Sequence, residues 1–235
     1  MKPMRPRTAF AYFAAYGVLL YAVTRWLMPL FVRAGWMPVL AWFFCGSVFV
    51  FGPLLLHALW LTRKLPGGLG ARLRLRRLDR GDWLWAAGGV LFAMLGSGLL
   101  VLLHHLLSQA VPWLPPLNMQ TPFMAFDGFA PHQRWMLLLW FPAFLCIIFG
   151  EEFMWRGVLL PRMALYAPAT AWVWNALFWL GFHTAFGLDI IYTLIPVLLV
   201  VPYIVQKRGN TWLGIIIHGI YNAAGFLFIA FGGGA

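Results

Sequence analysis

Seven stretches of this chain are long, apolar and almost free of charge: 9–31, 37–61, 83–110, 135–160, 169–187, 188–206 and 211–232. A helix needs about 20 apolar residues to cross the hydrocarbon core of a bilayer. Within lipid the backbone must satisfy its own hydrogen bonds, which a helix does inside one segment. The composition agrees. Hydrophobic residues make up 63% of the chain and charged residues 10%, against roughly 25% charged in soluble domains. The expectation is an all-α, polytopic transmembrane helix bundle of about seven spans. Spans five and six nearly merge and are separated only around Gly187–Asp189.

The basic N-terminus, Met1 to Arg7, precedes an apolar stretch that continues to Val32. That is longer than the 7–15 residues of a signal-peptide core, so a retained first helix is expected. The net charge of +11 comes from residues placed between the apolar runs. They read as topology signals and contacts to lipid headgroups rather than a nucleic-acid surface. Lys2, Arg5, Arg7, a basic loop over 63–82, Arg162, Lys207 and Arg208 fall on one side. The Lys/Arg bias makes that side cytoplasmic, with the C-terminus, through Gly233-Gly234-Ala235, outside. The small size and short termini point to a bacterial plasma membrane. Leu69, Leu73 and Leu75 interleave with the arginines of the 63–82 loop, which reads as either a helix on the membrane face or a solvated loop. The proline-rich outer loop over 111–134 either caps the bundle, guides a substrate or merely connects. The natural division is 1–134, N-terminal transmembrane helices, and 135–235, a core that carries the polar residues. Cys45 and Cys146 lie in apolar runs and read as small buried residues.

The chain has six acidic residues, and two are adjacent, Glu151 and Glu152, directly after the apolar run 141–150. A carboxylate in hydrocarbon costs on the order of 3 kcal/mol, so it needs a partner or a function. Arg156 lies four residues after Glu152, the favourable order for an ion pair on one helical face. Glu151 is turned about 100° away and has no such local partner. One glutamate is thus neutralised and the other is available as a general base, unless both simply mark the end of span four. Span five carries His183 and Asn175; span seven carries His218 and Asn222, four apart on one face. If these faces converge, they form a polar pocket. A glutamate and a histidine there can activate water, while a histidine and an asparagine can donate to an oxyanion. With a rise of about 1.5 Å per residue, His183 falls about 10 Å further outward than Glu151 and His218, unless span five begins nearer Val173.

These residues resemble the CPBP family of intramembrane proteases, the group of CAAX proteases and bacteriocin-processing enzymes that includes the Ras-converting type of prenyl-protein endopeptidase. Glu151-Glu152-Phe153-Met154-Trp155-Arg156 matches its EExxxR motif, His183 the histidine of FxxxH, and His218-Gly219-Ile220-Tyr221-Asn222 its HxxxN motif. Trp179 stands where FxxxH has phenylalanine. The likeness covers residues 140–225. It implies an intramembrane endopeptidase of glutamic type acting on a membrane-anchored protein or peptide. Glu151 and His183 would activate the water, His218 and Asn222 would form the oxyanion hole, and Glu152, Arg156 and Trp179 would support them. No cofactor is expected. The alternative within the resemblance is a zinc ion on Glu151, His183 and His218, a known type of catalytic donor set. The alternative of a different class is a non-catalytic membrane chaperone, immunity factor or scaffold; a proton-coupled transporter is a third reading.

Overall fold

The computed structural model describes residues 1–232; the expected outer position of Gly233–Ala235 lies outside the described residues. The described residues form eight helices joined by loops: α1 (Pro6–Arg33), α2 (Pro38–Thr62), the short α3 (Leu69–Arg72), α4 (Arg80–Ala110), α5 (Pro131–Ala164), α6 (Ala171–Phe182), α7 (Leu188–Arg208) and α8 (Thr211–Ala230). Six of these are long and apolar enough to cross a membrane. The seventh, α6, has 12 residues and is prolonged by a 3-10 turn, His183–Phe186. The protein is therefore an integral, multi-pass, all-α bundle.

Local chemistry sets the boundaries. Proline at the first turn opens α1, α2 and α5, where its missing N–H has no partner to lose. Asn210 caps α8 by accepting from the Trp212 N–H at 3.2 Å. Gly187, at φ 95°, makes the turn that sends α6 back as α7. Three helices widen into π turns at Val23–Leu27, Ser47–Phe51 and Glu152–Leu159. Each is followed after one residue by a proline: Pro29, Pro53 and Pro161. A proline inside a helix lacks a donor and clashes with the carbonyl four residues before it. A wider turn relieves that clash, and such turns recur at functional sites.

A row of small buried residues on α4, Ala86, Gly89, Ala93 and Ser97, lies against α7 and α8. Close approach through small side chains is the usual membrane solution, because lipid gives no hydrophobic drive between helices. On the other side α4 presents Leu84, Leu91, Leu95, Leu99, Leu102 and Leu106, all exposed. On a soluble surface so large an apolar face would be anomalous; here it faces lipid.

The basic segments gather at one end of the bundle. The Met4 N–H donates to the Arg162 carbonyl at 2.9 Å, and Arg162 Nη2 donates to the Leu61 carbonyl at 3.3 Å. Part of the 63–82 loop, at Leu73 and Asp82, is built into the protein, while Leu69 and most of the arginines stay at the surface. Leu73 is fully buried, and Thr211 Oγ1 donates to its carbonyl at 2.7 Å. Asp79 caps α4 through a reciprocal capping box with Asp82. The buried Asp82 Oδ1 accepts from Arg76 and Arg208 at 2.9 Å each, and Asn210 Nδ2 reaches Oδ2 at 3.2 Å. This cluster fastens the start of α4 to the α7–α8 junction. At the opposite end the 111–130 segment caps the bundle. The Asn118 N–H donates to Asp189 at 2.8 Å, Phe123 packs on Trp42 and Phe186, and Phe126 stacks on Phe226.

The Asp79 carboxyl is held below its ordinary 3.8, chiefly by the Asp82 backbone N–H and further by Arg76 and Arg208. A depressed folded-state value gives stability that is present above the unfolded value and lost as pH falls through the folded one. Thermal unfolding in detergent should therefore show a loss of stability that begins near 3.8 and steepens towards lower pH. Asp79→Asn should flatten that acid limb while lowering the neutral-pH melting temperature.

Candidate active site

The eight residues of the π segment in α5, Glu152–Leu159, are all buried, as is Glu151 just before them. Its wide turn sends the two adjacent carboxylates to different partners. Glu152 Oε1 lies 3.2 Å from Arg156 Nη1 and 2.9 Å from His218 Nδ1. The guanidinium is not aligned to donate a hydrogen bond to that oxygen. It lies over the Trp179 ring instead, with Cζ 3.5 Å from the ring centroid. A cation over an indole face, desolvated as here, is worth about 2 kcal/mol. Gly214 of α8 passes so close that a Cβ there would overlap Glu152 Oε2. That glycine is what lets α8 approach near enough for His218 to reach Glu152.

Glu151 is not without a local partner, contrary to the expectation from the sequence. Its Oε2 accepts from Trp155 Nε1, four residues on, at 3.3 Å, and from Trp179 Nε1 at 2.5 Å. A heptad-style count of charges misses this, because the donor is an indole N–H and not a cation. Both indoles are fully buried. Trp155 is fixed by stacking on Phe13 at 3.9 Å between centroids and by an edge contact with Phe182. Asn175 donates to the Trp155 carbonyl at 3.2 Å and ties α6 to the π segment. With Oε2 held by two donors, Oε1 is the oxygen of Glu151 left to other partners.

His183 begins the turn after α6, and its Nδ1 meets the Trp179 carbonyl at 2.8 Å. That bond fixes Nδ1 as the protonated nitrogen and leaves Nε2 as the basic one. His218 has both nitrogens engaged: Nδ1 donates to Glu152, and Nε2 accepts from Asn222 Nδ2 at 2.9 Å. Trp179 stands edge-on to both imidazoles, at 5.4 Å from His183 and 5.0 Å from His218 between centroids. The outward displacement of His183 expected from an ideal seven-span arrangement does not arise. α5 continues to Ala164 and α6 begins at Ala171, which puts His183 level with Glu151, and both line the same cavity.

Glu151, Trp179, His183, His218 and Asn222 all line one cavity of about 820 Å³, whereas Glu152 and Arg156 lie behind its wall. The rest of the lining is mostly apolar. It draws on parts of the chain that showed no motif: Trp42 and Phe51 of α2, Ser97 of α4, and Met119 and Thr121 of the outer segment. Among the described residues no three His, Cys, Asp or Glu side chains are grouped so as to hold a metal ion. Both nitrogens of His218 are engaged, Nδ1 by Glu152 and Nε2 by Asn222.

Residues 133–224 match the family profile described as type II CAAX prenyl endopeptidase, Rce1-like. The matched span runs from the start of α5 to just beyond Asn222 and contains Glu151, Glu152, Arg156, Trp179, His183, His218 and Asn222. It agrees with the CPBP resemblance drawn from the three motifs. No curated protein and no solved structure is significantly similar to the chain.

Removing one member of a buried ion pair costs about 3–5 kcal/mol, because the other charge is left unpaired. Arg156→Leu should therefore lower stability by about that amount, read as unfolding in a graded denaturing detergent. The double substitution Glu152→Leu with Arg156→Leu should recover a large part of the loss.

Proposed function

From the premise that α5 to α8 carry an Rce1-like CAAX endopeptidase segment, we propose that this protein is a glutamic-type intramembrane endopeptidase. Its substrate would be a membrane-associated protein or peptide. The observation that carries the reading is the one-sided environment of Glu151: two indole N–H groups on Oε2, and the carboxylate at the wall of a cavity that also receives His183 and Asn222.

In this mechanism a water beside Glu151 attacks the scissile carbonyl carbon. Oε1 takes one of its protons, and His183 Nε2 accepts a hydrogen bond from the other and aims the oxygen. The carbonyl π electrons move to oxygen, and the resulting oxyanion is met by the Asn222 amide. One Asn222 N–H is committed to His218 Nε2 and the second is available. His218 would thus act first by orienting Asn222. It becomes a direct donor only on protonation at Nε2, with the adjacent Glu152 balancing its charge. When the tetrahedral intermediate collapses, the C–N bond breaks and the proton held by Glu151 passes to the departing amine. Preorganised donors of this kind commonly supply the largest part of catalysis, and they act most strongly where water is scarce.

Metal-free catalysis belongs to this proposal and is supported by the commitments of His218. The basic end of the bundle, with Arg5, Arg7, the 63–82 loop, Arg162 and Lys207, supports a cytoplasmic N-terminus. The cavity's capped end then faces outward.

Cleavage by purified, reconstituted protein is the direct test, with a panel of membrane-anchored peptides that includes an S-farnesylated peptide and a single-span peptide. Glu151→Gln should reduce turnover by about 10²–10⁴-fold, the usual worth of a general base, without changing the melting temperature appreciably. A chelator should leave the wild-type rate intact. Cleavage by Glu151→Gln at the wild-type rate would end the proposal. Trp155→Phe keeps an aromatic ring against Phe13 and removes the N–H together with the five-membered ring. It should lower kcat on the order of tenfold, about the worth of a hydrogen bond to a charged group, with KM little changed.

A further inference from the structure

The 820 Å³ cavity has a wall that is incomplete on one side. At their basic ends α4 and α8 are tightly packed: a Cβ at Gly89 would collide with the Ile217 and Ile204 side chains. Two turns further along, the contact between α4 and α8 is made by a long side chain, with Tyr221 OH and Ser97 Oγ 2.9 Å apart. Ser97 Oγ goes on to the Thr193 carbonyl of α7 at 2.6 Å. Beyond that bridge the lining includes Gly98 and Val101 on α4 and Ala224, Gly225 and Phe228 on α8, with Phe226 and Ile229 also reaching the cavity from α8. A Cβ built at Gly98 or at Gly225 meets nothing within 4 Å. Val101 and Phe228 are exposed although they line the cavity. Their neighbours on α4, Leu95, Leu99 and Leu102, belong to the lipid-facing surface. The far end of the gap is roofed by the outer segment, where Met119 and Thr121 reach the same cavity.

We infer that the gap between α4 and α8 is a side portal through which the apolar, membrane-embedded part of the substrate passes from lipid to the catalytic cavity. The Tyr221–Ser97 bridge is its sill and the two glycines keep its width. This rests on the protease reading above, and it assigns the occupant from three features. The gap opens onto lipid and not onto the basic, solvated end. Its rim is apolar, so no polar chain would be compensated there. Its inner end is the cavity wall that holds Glu151, His183 and Asn222. The hydroxyls of Ser97 and Tyr221 are already satisfied by each other and by the Thr193 carbonyl, so the sill needs no polar group from the passing chain.

Reconstituted full-length protein tests this with a 20-residue leucine/alanine single-span peptide as the probe in the same vesicles. A photoreactive benzophenone residue placed at Gly225 should capture the probe at least about fivefold above the same group placed at Leu95, which lies on the lipid face of α4. Capture needs no cleavage, so the result does not depend on whether the probe is a substrate. Capture at Gly225 no greater than at Leu95 overturns the inference. Gly98→Trp, which puts a ring into space that is open, should abolish the Gly225 signal. If capture persists undiminished in Gly98→Trp, the gap is not the path and the inference also fails. The membrane-anchored peptide cleaved most efficiently by wild type should lose about tenfold in kcat/KM through KM in Gly98→Trp. A loss in kcat alone would count against a portal. Glu151→Gln should leave capture unchanged, so failure of the protease reading, seen as an active Glu151→Gln enzyme, is told apart from failure of the portal, seen as lost selectivity of capture at Gly225.

Discussion

The Trp179 indole joins most of the groups whose burial this structure has to compensate. Its N–H holds Glu151, its face carries the Arg156 guanidinium, and it makes T-shaped contacts with His183 and His218. A carboxylate, a guanidinium and two imidazoles in a poorly solvated interior would each be costly alone. One flat, polarisable residue with a single donor reduces several of those costs together. The position is phenylalanine in the family motif. A phenylalanine there would keep the face for Arg156 and lose the donor to Glu151. The departure from the motif therefore changes which groups hold the carboxylate rather than just the room around it.

The pairing is possible because α5 is not a regular helix at this point. The π segment Glu152–Leu159 precedes Pro161 just as two other π turns precede Pro29 and Pro53. A proline that would break an ordinary helix here widens one. The widened turn sends Glu151 to the indoles of Trp155 and Trp179, and Glu152 to Arg156 and His218. Gly214 then allows α8 to close on Glu152. The motif residues on α5 and α8 meet through a chain of backbone adjustments, each traceable to a proline or a glycine.

Much of the membrane architecture was legible in the sequence, because apolar length is a direct readout of bilayer thickness. The Glu152–Arg156 pair was legible too, since opposite charges four apart on a helix meet by geometry. Other features were not. The partner of Glu151 was missed because a tryptophan in an apolar run reads as packing and its single donor is silent in any charge count. The depth of His183 turned on the span ends: α5 runs on to Ala164 and α6 begins only at Ala171, as the later start of span five allowed, so Glu151 and His183 lie 13 and 12 residues from the same end. The cluster of Asp79, Asp82, Arg76, Arg208 and Asn210 joins residues more than 120 positions apart. Only its local part, acids three apart before an apolar run, left a signal, that of a capping box. The cavity wall from α2 and α4 carries no motif, because a wall needs shape and apolarity and those are everywhere in this chain.

The shortness of α6 has a further consequence for the surrounding bilayer. Twelve helical residues span about 18 Å, well under the ~30 Å of a hydrocarbon core. The reversal at His183–Gly187 therefore takes place at membrane depth. Irregular backbone is tolerated there only where protein covers it or where it borders a water-filled space. The outer segment supplies the cover, with Pro122 against Gly187 and Phe123 against Phe186, and the cavity borders the turn at His183 and Phe186. Lipids beside this face meet a hydrophobic mismatch: they must shorten, tilt or admit water to match a wall lower than its neighbours. A local thinning of the bilayer would bring water nearer to a peptide bond that is otherwise shielded by the membrane.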